Sequence, residues 1–136
     1  MSDGKLVGIV LVSHSAEVAA SVADLAKALS GGGTAVLVAP AGGTEGGGFG
    51  TSAELVRAAA ASVDRGAGVA VLTDLGSAVL TVKALLAEGD ELPDNTRLVD
   101  APFVEGAVAA VVTAATGADL AAVEAAAVEA YSYRKV

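Results

Sequence analysis

The chain has 136 residues, 16 of them acidic and 8 basic, for a formal net charge of −8, and it contains no cysteine. That length suits one domain with a full core. The missing cysteines exclude disulfides and thiolate metal sites, and the acidity argues against nucleic acid and anionic membrane as partners.

Residues 6–12, Leu-Val-Gly-Ile-Val-Leu-Val, are almost wholly apolar, as expected of a strand covered on both faces. Ser13-His14-Ser15 forms the turn that follows. Over residues 15–30, Val18, Val22, Leu25 and Leu29 recur at helical spacing, and Gly31-Gly32-Gly33 reads as the stop. A second strand is expected over 34–39, then a glycine-rich loop over 40–50. Thr51 or Ser52 is the expected N-cap of a helix ending near Asp64, with Glu54 in its first turn. Residues 68–73 read as a third strand, and Asp74-Leu75-Gly76-Ser77 turns into a helix that ends near Glu88. The acidic run 88–93 reads as a solvated loop. A short fourth strand is expected over 96–100. Pro102 suits the first turn of a helix over 103–116, and Asp119 caps a last helix that ends near Tyr131.

Strands and helices therefore alternate along a single domain, 1–136. That pattern predicts an α/β fold: a doubly wound open sheet, mainly parallel, with strand order 2-1-3-4 and helices on both faces. Its right-handed crossovers gather the strand-to-helix turns on one rim. The longest uncharged stretch, 28–44, is interrupted by Gly31-Gly32-Gly33, Pro40 and Gly42-Gly43, so no run has membrane-spanning length. The opening Met1-Ser2-Asp3-Gly4-Lys5 lacks the pattern of a secretory leader. The expected location is the cytoplasm.

His14 is the only histidine, and it lies at the carboxyl end of a strand, where open α/β sheets gather ligands and reacting groups. Asp74 ends the neighbouring strand. It has two readings, which are compatible: an N-cap for the following helix, or an acceptor for one ring N–H of His14, leaving the other ring nitrogen as nucleophile. Gly76 and Ser77 offer donors for the oxygens of a transferring phosphoryl group. The loop from Gly42 to Thr51 is rich in glycine, but no Gly-Lys-Ser/Thr follows it, so it is not a Walker loop. Glu105, one turn into its helix, suits the helix dipole. No His/Cys/carboxylate set has metal-ligand spacing, so no metal is expected. The four aromatics are two Phe and two Tyr. Their scarcity at the expected rim argues against flavin and against tight binding of free nucleotide.

Several of these segments together carry a resemblance. Ile9-Val10-Leu11-Val12-Ser13-His14-Ser15 resembles the active-histidine motif of the phosphoryl-donor subunit of phosphotransferase-system-dependent dihydroxyacetone kinase, whose first domain is similar in fold to mannose-family IIA domains. Gly50-Thr51-Ser52, Asp74-Leu75-Gly76-Ser77-Ala78, Ala101-Pro102-Phe103-Val104-Glu105-Gly106 and Ala114-Ala115-Thr116-Gly117-Ala118-Asp119 resemble further motifs of that family, in order along nearly the whole chain.

The resemblance implies that His14 is phosphorylated by the phosphocarrier protein HPr. The phosphoryl group then passes to ADP held in a separate nucleotide-binding subunit, so this chain needs no cofactor of its own beyond a covalent phosphohistidine. Asp74 would orient His14, and Gly50, Thr51, Gly76 and Ser77 would stabilise the phosphoryl group. The resemblance also implies a homodimer. The competing expectations are a mannose-family IIA domain serving sugar uptake and a non-catalytic flavodoxin-like regulatory module.

Overall fold

The computed structural model describes residues 5–31 and 35–136. The elements are β1 (Gly8–Ser13), α1 (Ala16–Leu29), β2 (Val38–Gly42), α2 (Ala53–Val63), β3 (Val69–Thr73), α3 (Gly76–Ala87), β4 (Thr96–Leu98), α4 (Phe103–Ala115) and α5 (Leu120–Glu129), closed by a 3₁₀ turn, Ala130–Ser132. All strand pairs are parallel, in the order β2-β1-β3-β4. The expected fold class and strand order are both present.

Alternation along the two central strands divides the core in two. Ile9 and Leu11 of β1, with Ala70 and Leu72 of β3, face a layer that includes Val22, Ala26, Ala107, Val111 and Val123 of α1, α4 and α5. Val10 and Val12, with Val69 and Val71, face Val56, Ala60, Ala78 and Val82 of α2 and α3. Every residue of β1 is buried. A period of two with both faces covered makes these strands read as continuous apolar runs. The small Ala and Val side chains let the helices lie close to the sheet. At Gly8 an added Cβ would lie 2.3 Å from the Val63 carbonyl oxygen, so even alanine would not fit there.

Two helix starts follow their expected caps, at Ser52 and Asp119, and Ser15, expected inside the first helix, is its N-cap. Ser15 accepts from the Val18 N–H, Ser52 from Leu55 and Asp119 from Ala122, and each such cap contributes about 1 kcal/mol. Ser52, rather than Thr51, is the cap of α2.

Three expectations need correction. First, β2 runs Val38–Gly42, not 34–39, and so contains Pro40. It is an edge strand, and the Leu37 carbonyl accepts from Ile9 N–H. The alternation of the ladder then turns the Pro40 nitrogen outward, where its missing N–H costs no ladder bond. Second, β4 is shorter than 96–100 and stops at Leu98, with one further ladder bond from Val99 N–H to Val71 O at 2.8 Å. Third, the N-cap of α3 is Leu75, not Asp74, and no side chain caps that helix.

The glycine stop of α1 is described only in part. Gly31 takes a positive φ of 107° after Ser30, while Gly32, Gly33 and the expected strand start at Thr34 lie outside the described residues. Among the described residues no helix is long and apolar enough to cross a membrane.

Candidate active site

β1 and β3 lie side by side in register, with Val12 opposite Thr73, and both end at the same edge of the sheet. The chain leaves β1 through Ser13 and His14 and leaves β3 through Asp74. The Asp74 N–H donates to Val12 O at 3.0 Å, which ties the two strand ends together.

The Asp74 carboxylate is the hub of the site. Its Oδ2 accepts from the Ser13 hydroxyl and from the His14 backbone N–H, each at 2.9 Å. Its Oδ1 accepts from Leu75 N–H at 2.7 Å and lies 3.0 Å from His14 Nδ1. Burial pushes this carboxyl upward, but the hydrogen bonds from the His14 backbone, the His14 ring, Ser13 and Leu75 outweigh that effect and hold it below its ordinary value. Asp74 is therefore ionised at neutral pH and can only accept hydrogen bonds. That places a ring proton on Nδ1, so that in the neutral imidazole the lone pair lies on Nε2.

Nε2 in turn meets the Ser77 hydroxyl at the start of α3, and that hydroxyl donates to it. The histidine side chain is only 25% exposed. It is thus held from both ends of the ring, with Nε2 at the opening. Because α3 lacks a side-chain cap, the N–H groups at its start, those of Gly76 and Ser77, remain available to an anion.

Gly50 and Thr51 reach the same place from the β2 side. Gly50 N–H donates to the His14 carbonyl oxygen at 3.0 Å, so it supports the histidine turn through the backbone. Thr51 forms a parallel bridge with Gly43. Its hydroxyl oxygen is buried and has no hydrogen-bond partner among the described residues. A buried hydroxyl left unpaired costs about 1–3 kcal/mol, which an incoming acceptor or donor would recover.

All six residues singled out from the sequence, His14, Gly50, Thr51, Asp74, Gly76 and Ser77, thus lie at this edge. Ser13, expected only as part of the turn, is a further member and closes β1. It is buried, donates to Asp74, and accepts from Ser15 N–H at 3.1 Å. The signal for it was a hydroxyl closing an otherwise apolar strand. Glu105 stands apart: it is in the first turn of α4 and pairs with Lys135, whose ammonium holds its carboxyl below the usual range.

Aromatics are few at the rim, as expected, but two stand there. Phe49 stands in the loop before Gly50, 87% exposed. Tyr131 donates to Asp100 Oδ1 at 2.7 Å and lines a cleft of about 450 Å³ beside Asp74, together with Leu75, Lys83 and Asp100. The C-terminal 3₁₀ turn brings Tyr131 back to this edge.

The family model EIIA-man, described as the PTS system fructose IIA component, matches residues 8–124. The chain belongs to the EIIA-man family. Its relatives include the phosphoryl donor subunit DhaM of PEP-dependent dihydroxyacetone kinase 2 from Listeria innocua serovar 6a, 33% identical over 108 residues that cover 79% of this chain and 85% of that protein. The DhaM phosphoryl donor subunit of Escherichia coli strain K12 is 37% identical over 117 residues, covering 85% of this chain but only 25% of that longer protein. Among solved structures, the crystal structure of the unknown-function protein EF1359 matches with a TM-score of 0.80 and 27% identity, over 96% of this chain and 97% of that one.

Proposed function

We propose that this EIIA-man domain is a phosphohistidine carrier in a PEP-dependent dihydroxyacetone kinase system. In this reading it takes a phosphoryl group from HPr on His14 and passes it to ADP held in the nucleotide-binding subunit. The observation that carries the proposal is the chain of contacts from Asp74 through Nδ1–H to an Nε2 that faces the opening. The names of the relatives support the dihydroxyacetone system as the setting.

In the first transfer, the Nε2 lone pair forms a new P–N bond as the P–N bond to the donor's histidine breaks. Nδ1 keeps its proton, so the phosphorylated ring gains positive charge, and the Asp74 carboxylate is placed to stabilise it. The Ser77 hydroxyl gives up its contact with Nε2 and turns to a phosphoryl oxygen. The N–H groups of Gly76 and Ser77 and the unpaired Thr51 hydroxyl supply further donors to the negative charge spread over those oxygens. In the second transfer, a terminal oxygen of ADP attacks phosphorus, the P–N bond breaks, and its electrons return to Nε2. No metal or resident cofactor is needed on this chain in that scheme.

The fructose IIA description of the family model favours one competing acceptor, the IIB domain of a sugar transporter. The deciding experiment offers the phosphorylated protein to the ADP-loaded nucleotide-binding subunit and, separately, to a IIB domain. ATP formation in the first arm supports the proposal. Transfer to IIB with no ATP formation assigns the chain to sugar uptake instead.

A further inference from the structure

Ser13 is the last residue of β1, and Asp74 follows the last residue of β3. The register that sets Leu11 beside Leu72 and Val12 beside Thr73 brings Ser13 next beside Asp74. Side chains alternate along a strand, and paired residues share a face. Both side chains therefore point to the layer that covers Leu11 and Leu72, the layer of α1 and α4. There the Ser13 hydroxyl, 1% exposed, meets two groups that fix the direction of its proton. The Ser15 N–H, at the entry to α1, can only donate, and it reaches Ser13 Oγ at 3.1 Å. The ionised Asp74 carboxylate can only accept, and its Oδ2 takes the hydroxyl proton across 2.9 Å.

We propose that Ser13 is a positioning residue for His14: its hydroxyl holds the Asp74 carboxylate in the orientation that presents Oδ1 to Nδ1, and so keeps Nε2 the nucleophile. The inference rests on the phosphohistidine reading for the reaction, whereas the positioning is a property of the resting ring.

The pattern of support around Asp74 carries the argument. Besides the ring, three donors hold the carboxylate. Two are backbone N–H groups, those of His14 and Leu75, which the chain supplies whatever side chains it bears there. Ser13 alone supplies its bond from a side chain. It is also the support that reaches a third element, because its oxygen is tied to the Ser15 N–H, and Ser15 caps α1. The carboxylate is thereby braced against the start of α1, while His14 sits on the turn between. Ser13 is buried, so truncation there leaves Oδ2 and the Ser15 N–H each one partner short rather than open to solvent.

The same bond bears on the chemistry. As the P–N bond forms, the ring becomes cationic and Nδ1–H becomes more acidic. When the phosphoryl group leaves, the electrons of the P–N bond return to Nε2. The leaving group is then a neutral imidazole, provided that Nδ1 has kept its proton. A carboxylate that already accepts from Ser13 is a weaker base toward that proton, so Ser13 helps the proton to stay on the ring.

The test compares the wild-type chain with Ser13→Ala, Ser13→Thr and Ser15→Ala. Nitrogen NMR of the unphosphorylated protein reads which ring nitrogen of His14 carries the proton in the neutral imidazole. Kinetics with phosphorylated HPr separate kcat from KM. In Ser13→Ala, part of the neutral ring should carry its proton on Nε2, and kcat should fall about tenfold with KM unchanged within about twofold. Ser13→Thr keeps the hydroxyl on a residue that suits a strand and should restore both. Ser15→Ala removes the cap on the Val18 N–H but keeps the backbone N–H that Ser13 accepts. It should lower the melting temperature and leave the tautomer and kcat as in wild type. A Ser13→Ala variant with the wild-type tautomer and wild-type kcat overturns the proposal and leaves Ser13 as a structural pin for α1. A Ser13→Thr variant as impaired as Ser13→Ala also overturns it, by assigning the effect to packing. If the wild type takes no phosphoryl group from HPr, the phosphohistidine reading fails, and the ring tautomer in Ser13→Ala still decides the positioning role.

Discussion

Replacing Asp74 by Asn keeps the size of the side chain and removes half of its acceptor capacity. The carboxylate accepts four hydrogen bonds, two at each oxygen, and a carboxamide can offer only one oxygen. If that oxygen stays in the Oδ1 position, the new NH₂ faces the His14 backbone N–H, donor against donor, although Ser13 can turn its hydroxyl to accept. If the amide flips, the NH₂ faces Leu75 N–H and the ring nitrogen Nδ1. The ring then takes the other tautomer, with the proton on Nε2 and no lone pair at the opening. Either outcome leaves one backbone N–H without its partner, at a cost of about 1–3 kcal/mol in stability. That is within the 5–15 kcal/mol typical of a domain, so the protein should still fold. Loss of one charge-assisted bond to the ring, about 1.5–3 kcal/mol, slows phosphoryl transfer by roughly ten- to a hundredfold, at a factor of ten per 1.4 kcal/mol. Rapid-quench kinetics with phosphorylated HPr would read the rate, and nitrogen NMR of the product would identify the modified ring atom. Unchanged kinetics in Asp74→Asn, or phosphate on Nδ1 in the wild type, would refute this reasoning.

Three further outcomes follow from the same geometry. Because the native Asp74 carboxyl lies below its ordinary value of 3.8, its contribution to stability is complete above that value and is lost as pH falls through the lower native one. Wild type should therefore lose more stability than Asp74→Asn on acidification in that window, and parallel acid limbs in their melting profiles would contradict the assignment. Ser77→Ala removes a hydrogen bond to the developing phosphoryl charge and should slow transfer by about ten- to a hundredfold with donor affinity unchanged; an equal or faster rate in stopped-flow transfer would show that the hydroxyl only occupies Nε2. At Gly42 an added Cβ would lie 2.5 Å from Ser15 O and 2.6 Å from the Ala16 Cα, both backbone atoms that cannot swing aside. Gly42→Ala should cost about 1–3 kcal/mol in denaturant melts, and wild-type stability would mean that β2 and the start of α1 are not packed as described.

The alternation of strands and helices was legible because β1 and β3 are unbroken apolar runs and α2 and α5 carry recognisable caps at Ser52 and Asp119. The pairing of His14 with Asp74 was legible for the same reason: strand order 2-1-3-4 makes their strand ends neighbours. What was misread depends on position within the sheet. Pro40 looks like a strand breaker until β2 is known to be an edge, and no local pattern states that. Asp74 looks like a helix cap because it precedes α3, yet its carboxylate turns back to Ser13 and His14. Ser13 was legible as polar but not as buried, since its exposure depends on the packing of the neighbouring strand end. Tyr131 had no assigned role in the sequence, because only the path of the last turn returns it to Asp100.

The central claim is that His14 carries the phosphoryl group on its outward nitrogen. The most direct measurement is the intact mass of the protein after incubation with phosphoenolpyruvate, enzyme I and HPr, in the wild type and in His14→Ala. The account predicts one acid-labile, base-stable phosphoryl group on the wild type and none on a folded His14→Ala variant. Stoichiometric phosphorylation of His14→Ala, or a wild-type adduct that survives acid as a phosphoserine would, contradicts it.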